Sequence, residues 1–437
     1  MLKFIWILVS AFCVLSKCDS HKISIDDDAN ILLGTPCHTH VFRESNTHLS
    51  IRRDIKKQNR ARSDHPHEVI FVIQQRNMEE LTSILYDISD PNSSNYGQHW
   101  SREDVVDFTS NPGGRDAVVS YLNSNGAFIV SETLAGEYVT AVAPINVWEK
   151  IFKTEFYSFI VTRYDESVHT VIRAEDYWIP RELDKHVTSV LNTIELLTPS
   201  PTSASRVPVA SKIGKFSSTA LGYMTPTTLK AYYNMSNVIG SINSTQMIYA
   251  SLGQYYSPRN LASLQEYDGL PIQPPVRDHG NHSSDTVCEQ NYGSCAEANL
   301  DIQYIMTMSP SSPTTFWYTD NWFNDFLIEV SNIVSTPKVI SISYGQAEVS
   351  VDAGVWKSFD DAAIKLSVMG TTIVAASGDD GANSWSARSD TRFCGYSNLF
   401  PATSQYVLSV GGTTVSQIWY RIDLKLLTYL STLLSDK

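Results

Sequence analysis

Three short apolar runs recur through the second half of the sequence, and longer segments with helical patterns lie between them. The runs are Met247–Leu252, Val339–Ser343 and Thr372–Ala376. The segment before the last run has apolar residues at helical spacing, namely Val355, Phe359, Ala363, Leu366 and Met369. Strands that alternate with helices form parallel sheets with helices on both faces. This half of the chain is therefore predicted to be an α/β domain.

The first half has a different pattern, in which short strands and helices are mixed over about 130 residues. Predicted strands lie at Val69–Ile73, Ala127–Val130, Tyr138–Val142 and Phe159–Thr162, and predicted helices at Met78–Ile88, Arg115–Leu122 and Val147–Phe152. This mixture predicts a compact α+β domain with an antiparallel sheet and helices on one side. Residues Thr198–Lys215 are rich in Pro and Ser and carry basic residues, which indicates an exposed, cleavable linker.

The N-terminus predicts a secretory signal. A short basic start precedes the apolar run Phe4–Leu15, and the small residues Ser16 and Cys18 fit cleavage after residue 18. The run is too short for a membrane anchor, which needs about 20 apolar residues. We expect a secretory-pathway protein that is extracellular or in a lysosome or vacuole.

The charge and the cysteine content limit which partners and which compartment we expect. The 33 basic and 46 acidic residues give a net charge of −13, which disfavours nucleic acid and membrane surfaces as partners. Four cysteines follow the predicted signal, with three possible pairings, and the close pair Cys288 and Cys295 is the favoured bridge. Four sequons predict N-glycosylation of exposed loops, at Asn92, Asn234, Asn243 and Asn281.

Two carboxylates in one predicted helix are candidates for acid–base chemistry. The stretch Cys295–Ile305 predicts a helix whose apolar stripe consists of Leu300, Tyr304 and Met308. Glu297 and Asp301 are four residues apart and share a face bordering that stripe. Close carboxylates do not both ionise easily, so such a pair can hold and transfer a proton. Taken alone, the pattern more often marks a solvated helix edge.

Two predicted loops follow strands at the carboxyl edge of the parallel sheet, where ligands collect in such folds. They are Ser343-Tyr344-Gly345 and Ser377-Gly378-Asp379-Asp380-Gly381. The second loop fits equally well an ordinary glycine-rich turn with solvated aspartates.

Several ordered motifs together resemble the sedolisins, which are acid-acting serine peptidases with a subtilisin-like fold. The motifs in the second half are Glu297–Tyr304, Ser343-Tyr344-Gly345, Ala376–Gly381 and Phe400–Thr414. Upstream, Asp90–Val105 resembles the family's activation prodomain, and Tyr223–Asn234 resembles the start of its mature enzyme.

The resemblance implies a role for each of three acids. Glu297 would be the general base toward a serine nucleophile, and Asp301 would orient Glu297. Asp379 would be protonated and would stabilise the oxyanion, which requires mildly acidic surroundings or a raised pKa. The substrates would be peptides or proteins, cut by a tripeptidyl peptidase or an endopeptidase, and the chain's own prodomain would be its inhibitor.

The implied fold class is α/β: an α+β prodomain followed by a partial subtilisin-like domain with a mostly parallel sheet flanked by helices. The expected segments are a signal peptide (1–18), a polar N-terminal segment (19–66), an activation prodomain (67–197), a cleavable linker (198–216), a partial peptidase domain (217–414) and a divergent tail (415–437).

The sequence departs from the family pattern after Thr414. The family's nucleophile motif, Ser-Gly-Thr-Ser, does not occur in it. The family's calcium site would lie in the same missing part, so we expect no cofactor here. These differences predict a C-terminally truncated and inactive chain, with Ser377 as a weak substitute nucleophile. The alternative is a non-catalytic pseudoenzyme or peptide-binding fragment.

A metal site is a third hypothesis, based on paired histidines and one cysteine. The residues are Cys37, His38, His40, His65, His67, His279 and His282. Their spacings match no zinc template, so we expect no metal.

Overall fold

A computed structural model of the chain describes residues 39–46, 54–162, 168–196, 200–201, 225–319, 323–333, 335–380, 398–412, 415–416 and 421–422. The predicted signal peptide, Cys37, Cys394 and most of the predicted linker lie outside the described residues. The chain divides into two compact units. The antiparallel unit comprises residues up to 74, 111–160 and 170–195, and the parallel-sheet unit comprises 75–110, 161–169 and 196 onward.

The described residues form ten helices and twenty strands. The helices are α1 (Met78–Ser89), α2 (Arg102–Thr109), α3 (Pro112–Ser124), α4 (Ile145–Phe152), α5 (Pro226–Tyr232), α6 (Pro258–Tyr267), α7 (Asp285–Gln290), α8 (Ala296–Met308), α9 (Phe323–Asn332) and α10 (Ala353–Val368). The first nine strands are β1 (His40–Ser45), β2 (Ile55–Arg60), β3 (Pro66–Ile73), β4 (Phe128–Glu132), β5 (Tyr138–Pro144), β6 (Phe156–Thr162), β7 (Val168–Ala174), β8 (Asp176–Pro180) and β9 (Val187–Leu191).

The remaining strands are β10 (Ser200–Pro201), β11 (Gln246–Ala250), β12 (Arg277–His279), β13 (Thr314–Tyr318), β14 (Val339–Ile342), β15 (Tyr344–Ala347), β16 (Thr372–Ala376), β17 (Leu399–Phe400), β18 (Leu408–Val410), β19 (Val415–Ser416) and β20 (Arg421–Ile422).

The antiparallel unit is built around a four-stranded sheet in the order β4-β5-β3-β9, with every neighbouring pair antiparallel. The β-branched run predicted as a strand lies in β3, whose last five residues are all buried. Its Phe71 packs near Phe152 of α4, and Phe152 stacks on Trp148 at 5.5 Å between ring centroids. These rings and Val118 of α3 form part of one continuous core.

The parallel-sheet unit contains a six-stranded sheet in the order β12-β13-β11-β14-β16-β18, with every neighbouring pair parallel. Both faces of its β11 are buried. Met247 and Tyr249 pack on one face, in a core with α9 and α10. Ile248 and Ala250 pack on the other face, in a core with α6 and α8. This two-sided burial explains why the strand is apolar at nearly every position.

Helices α1 and α2 form an arm, residues 75–110, that belongs to the parallel-sheet unit. Its apolar face packs on α10, with Leu81, Leu85, Ile88 and Val105 against Ile364 and Val368. The backbone N–H of Trp100 donates to the Val368 carbonyl at 3.1 Å, so the arm also satisfies a carbonyl at the end of α10. The His99 ring occupies the space that a Cβ on Gly370 would need.

The segment predicted as the loop Ser343-Tyr344-Gly345 is partly a strand, so that prediction was wrong. Only Ser343 separates β14 from β15. Strand β15 pairs antiparallel with β10 on one side and with β17 on the other. Both partners are more than 50 residues away in sequence, which is why the local pattern gives no signal for this strand.

Candidate active site

Helix α8 presents a different face to the core than the sequence predicts. The proposed stripe was wrong, because Leu300 is 41% exposed and Tyr304 and Met308 are only half-buried. The buried apolar residues are instead Ala298, Ile302 and Met306, which pack with β11 and β13. Glu297 is next to this face and is 3% exposed. The helix therefore carries a carboxylate into the interior.

Asp301 is held by a hydroxyl from the neighbouring strand end. Its Oδ1 atom accepts a hydrogen bond from Ser343 Oγ at 2.7 Å. Its Oδ2 atom is buried and has no hydrogen-bond partner among the described residues. Burial and, next, the Glu297 carboxylate raise the pKa of Asp301 well above its usual value, while the Ser343 hydrogen bond opposes them. The pair can therefore retain one proton under mildly acidic conditions.

Tyr344 is a buried residue within electrostatic range of this pair. Its ring is fully buried, and its hydroxyl donates to the Ser251 carbonyl at 3.5 Å. Burial and the Asp301 and Glu297 carboxylates raise the pKa of Tyr344 well above its usual value. Ser251 follows β11 and Ser343 follows β14, so the acids lie at the carboxyl edge of the parallel sheet, where such folds bind ligands.

Asp379 lies on the same edge of the sheet but in a different environment. It follows β16 by three residues, and β16 is in parallel register with β14. Its side chain is exposed, unlike Glu297. Gly378 has φ 91°, and a Cβ there would overlap Leu399. The structure thus joins Ser343 to Asp301, with Glu297 one turn earlier in α8, and places Asp379 at an exposed position on the same edge of the sheet.

Ser377, the weak substitute nucleophile, follows β16 directly. Its backbone N–H donates to the Val410 carbonyl at 2.9 Å and extends the pairing of β16 with β18. Asp301, by contrast, accepts its serine hydrogen bond from Ser343. Sequence reasoning singled out the segment that contains Ser343, but not this role of its hydroxyl.

Sequence reasoning also missed Gln254, a polar residue in the loop after β11. Its side chain is buried and bonds to the backbone at the start of α8. Nothing in the local sequence distinguishes it from a solvated loop residue.

A disulfide precedes the first turn of α8. Cys288 and Cys295 are joined, with their Cα atoms 5.4 Å apart. It ties α7 to the residue immediately before the helix that carries both acids. Elsewhere, the asparagines of all four predicted glycosylation sites are exposed.

The described histidines have other partners than metal ions. His67 Nε2 lies 2.9 Å from the Asn192 carbonyl oxygen, and His40 Nε2 lies 3.1 Å from that of Ile151. His279 stacks on Trp317 and His282 on Tyr318. Within the described part of the chain, no group of three or more His, Cys, Asp or Glu residues could hold a metal ion. In the same part, no helix has the length and apolar character needed to cross a bilayer.

The comparison with protein families gives a match within the first half of the chain. The family described as "Pro-kumamolisin, activation domain" matches residues 53–196. This range covers the described strands and helices from β2 to β9, including the arm.

Curated relatives match a longer part of the chain. Tripeptidyl-peptidase 1 of Dictyostelium discoideum is 29% identical over 390 residues, covering 79% of this chain and 61% of that protein. The Homo sapiens protein of the same name is 26% identical over 370 residues, covering 82% and 63%. Physarolisin of Physarum polycephalum is 27% identical over 390 residues, covering 85% and 64%. The chain thus spans about three fifths of the length of these relatives.

A solved structure is also similar. It is Pseudomonas sedolisin, a serine-carboxyl proteinase complexed with two molecules of pseudo-iodotyrostatin. It aligns with a TM-score of 0.35 and 23% identity, over 44% of this chain and 54% of that chain.

Proposed function

We propose that the chain is the precursor form of an acid-acting peptidase of the sedolisin family, as the matched activation domain and the similarity to tripeptidyl-peptidase 1 and physarolisin support. Its substrates would be peptides or proteins, cut as a tripeptidyl peptidase or as an endopeptidase. One observation carries the proposal: at the carboxyl edge of the sheet, Asp301 accepts a hydrogen bond from a serine hydroxyl one helical turn from the buried Glu297. A carboxylate pair in that position is suited to accept a proton from an attacking hydroxyl.

Each acid has a distinct part in the proposed reaction. Glu297 takes the proton of the nucleophilic hydroxyl as its oxygen attacks the peptide carbonyl, and Asp301 orients Glu297 and supports its charge. Asp379, when protonated, donates a hydrogen bond to the oxyanion. This role needs the protonated form of Asp379, so we expect activity in acidic surroundings.

The linker gives the precursor a means of inhibiting itself. Strand β10, which lies in the predicted linker, pairs antiparallel with β15, with Ser200 opposite Gly345 and Pro201 opposite Tyr344. This edge begins one residue after Ser343. An extended peptide can bind an exposed strand edge through the same backbone hydrogen bonds. The linker therefore occupies an edge that a peptide substrate would use.

The proposed domains differ from the two compact units, because residues 75–110 and 161–169 group with the parallel-sheet unit. We assign residues 67–197 to the activation prodomain and 217–414 to a partial subtilisin-like peptidase domain. The predicted signal peptide, the four exposed sequon asparagines and the disulfide favour the secretory pathway, with an extracellular, lysosomal or vacuolar destination.

A non-catalytic, peptide-binding role is the second candidate. It is favoured by one feature: these 437 residues contain no Ser-Gly-Thr-Ser motif. A base and an oxyanion donor without the attacking hydroxyl cannot form an acyl-enzyme.

Peptide hydrolysis at about pH 4.5 separates the two candidates. We expect the 437-residue chain to be inactive, and the same chain extended by a continuing frame that encodes Ser-Gly-Thr-Ser to be active. In the extended chain, Glu297→Gln should lower kcat by at least about 100-fold, whereas Glu289→Gln, an exposed control on α7, should not.

Two results would contradict the proposal. One is a folded extended chain that cleaves nothing, which would favour the peptide-binding role. The other is hydrolysis by the 437-residue chain that disappears on Ser377→Ala, which would identify a different nucleophile.

A further inference from the structure

The loop that follows β11 has an unusual backbone. Leu252 has φ 59° and Gly253 has φ 70°, so two consecutive residues take the left-handed conformation. For a leucine this conformation is uncommon and persists only where surrounding contacts enforce it. The turn places the next residue, Gln254, in the interior with 3% exposure.

The Gln254 side chain connects two backbone positions at the start of α8. Its Oε1 accepts from the N–H of Glu297 at 3.2 Å, and its Nε2 donates to the carbonyl of Gly293 at 2.8 Å. Both ends of one buried amide are therefore satisfied.

These bonds take the place of an ordinary helix cap. The first backbone N–H groups of a helix have no partner within the helix, and a Ser, Thr, Asp or Asn side chain usually satisfies one of them. The N-cap of α8 is Cys295, which is in the disulfide and makes no side-chain capping hydrogen bond among the described residues. Gln254 supplies the cap from another part of the chain.

The loop itself is fixed from several directions. The N–H of Gly253 donates to the Tyr318 hydroxyl at 2.9 Å, and the N–H of Tyr255 donates to the Ser294 carbonyl at 2.8 Å. The Ser251 carbonyl accepts from Tyr344, whose pKa is raised by both acids as well as by burial. Gln254 thus belongs to a network that links β11, β13 and β15 to the first turn of α8.

We propose that Gln254 is a positioning residue that holds the first turn of α8 and so sets the distance between the Glu297 and Asp301 carboxylates. This inference rests on the proposed function, because it explains what holds the two proposed catalytic carboxylates at their separation. Without the two hydrogen bonds, the first turn can fray, and Glu297 can move away from Asp301, which lies a full turn further along the helix. The like-charge interaction between the two acids then weakens.

The test compares two buried glutamines in the full chain. Gln254→Met removes both hydrogen bonds and keeps the side-chain volume. Gln265→Met is the matched control, because Gln265 is 1% exposed and bonds at both ends to the backbone of Gln273. The readout is the pH titration of the Asp301 carboxyl carbon by 13C NMR, assigned by its loss in Asp301→Asn.

We expect the Asp301 midpoint to fall by about one pH unit in Gln254→Met and to stay unchanged in Gln265→Met. A parent chain in which Asp301 titrates at its ordinary value contradicts the proposed function. A high parent midpoint that Gln254→Met leaves in place, or that both variants lower equally, overturns the positioning role alone.

A second variant keeps the test decisive if Gln254→Met does not fold. Gln254→Glu can make both hydrogen bonds only when its carboxyl is protonated. At about pH 4, amide protection at the start of α8 should therefore equal that of the parent chain. At about pH 7, it should be clearly lower in the variant than in the parent chain at the same pH. Equal protection at both pH values would reject the role of this side chain.

Discussion

Burial and the like charge of Glu297 both act on the pKa of Asp301, and they act in the same direction. Both raise its pKa above the value in the unfolded chain, so its contribution to stability is present below the unfolded pKa and is lost as pH rises through the folded pKa. At neutral pH, folding must keep a proton on this carboxyl or bury its charge beside Glu297.

Asp301→Asn should therefore stabilise the chain at about pH 7.5 and have little effect at about pH 4. The amide oxygen can still accept from Ser343, and the charge is gone. We expect the free energy of unfolding to rise at the higher pH and to stay nearly unchanged at the lower one, measured by urea unfolding at both pH values. The exposed control Glu80→Gln on α1 should change the free energy of unfolding by less than about 0.5 kcal/mol. A loss of stability at neutral pH would show that Asp301 is favourably ionised there.

At the scale of single elements, the packing of α1 on α10 is the contact most open to a direct test. Leu85 is 8% exposed and packs in the same cluster as Ile364 and Val368. Leu85→Ala should cost about 2–3 kcal/mol, because it leaves a cavity in this cluster.

Hydrogen exchange should localise that cost, with faster exchange in 78–109 and in the last turn of α10. The matched control is Ser83→Ala on the exposed side of the same helix, which should change little. Faster exchange in the arm alone, with α10 unaffected, would show that the arm does not support the end of α10.

The elements differ in how far the sequence predicts them, and the difference has a physical cause. Strand β11 is predictable because both of its faces are buried, so its own residues record that environment. Strand β15 is not, because its partners are distant in sequence.

The candidate site also has features that the sequence predicts and features that it does not. The spacing of Glu297 and Asp301 is visible in the sequence, but the buried face of α8 depends on the strands it covers, and the capping by Gln254 depends on a turn elsewhere. Helical spacing alone did not identify which of the α8 stripes is buried.

For the whole molecule, the buried ionisable groups predict an acid-shifted stability profile. Burial raises the pKa of Glu195 to about 7, against the opposing effect of Arg173, and raises that of Asp360 to about 6. Both groups, like Asp301, lose their contribution to stability as pH rises through those values. His67 acts in the other direction, because burial lowers its pKa to about 4 and its contribution is lost as pH falls from about 6.5.

We therefore expect the highest melting temperature between about pH 4 and pH 6, with a clear fall by about pH 8. Thermal unfolding followed by circular dichroism across this range measures it. Glu195→Gln should remove part of the fall on the alkaline side, since the amide has no charge to bury. A profile with its maximum at about pH 8 would contradict the ionisation states assigned to these acids.

The route of the backbone between the two units has a consequence for maturation. The chain leaves the antiparallel unit at residue 74, forms the arm on α10 and returns at residue 111. One broken peptide bond between residues 202 and 216 would thus yield two pieces that are still interlocked. The N-terminal piece would stay associated until the arm detached, so the lifetime of this nicked complex, rather than the speed of cutting, would set when the N-terminal piece is released.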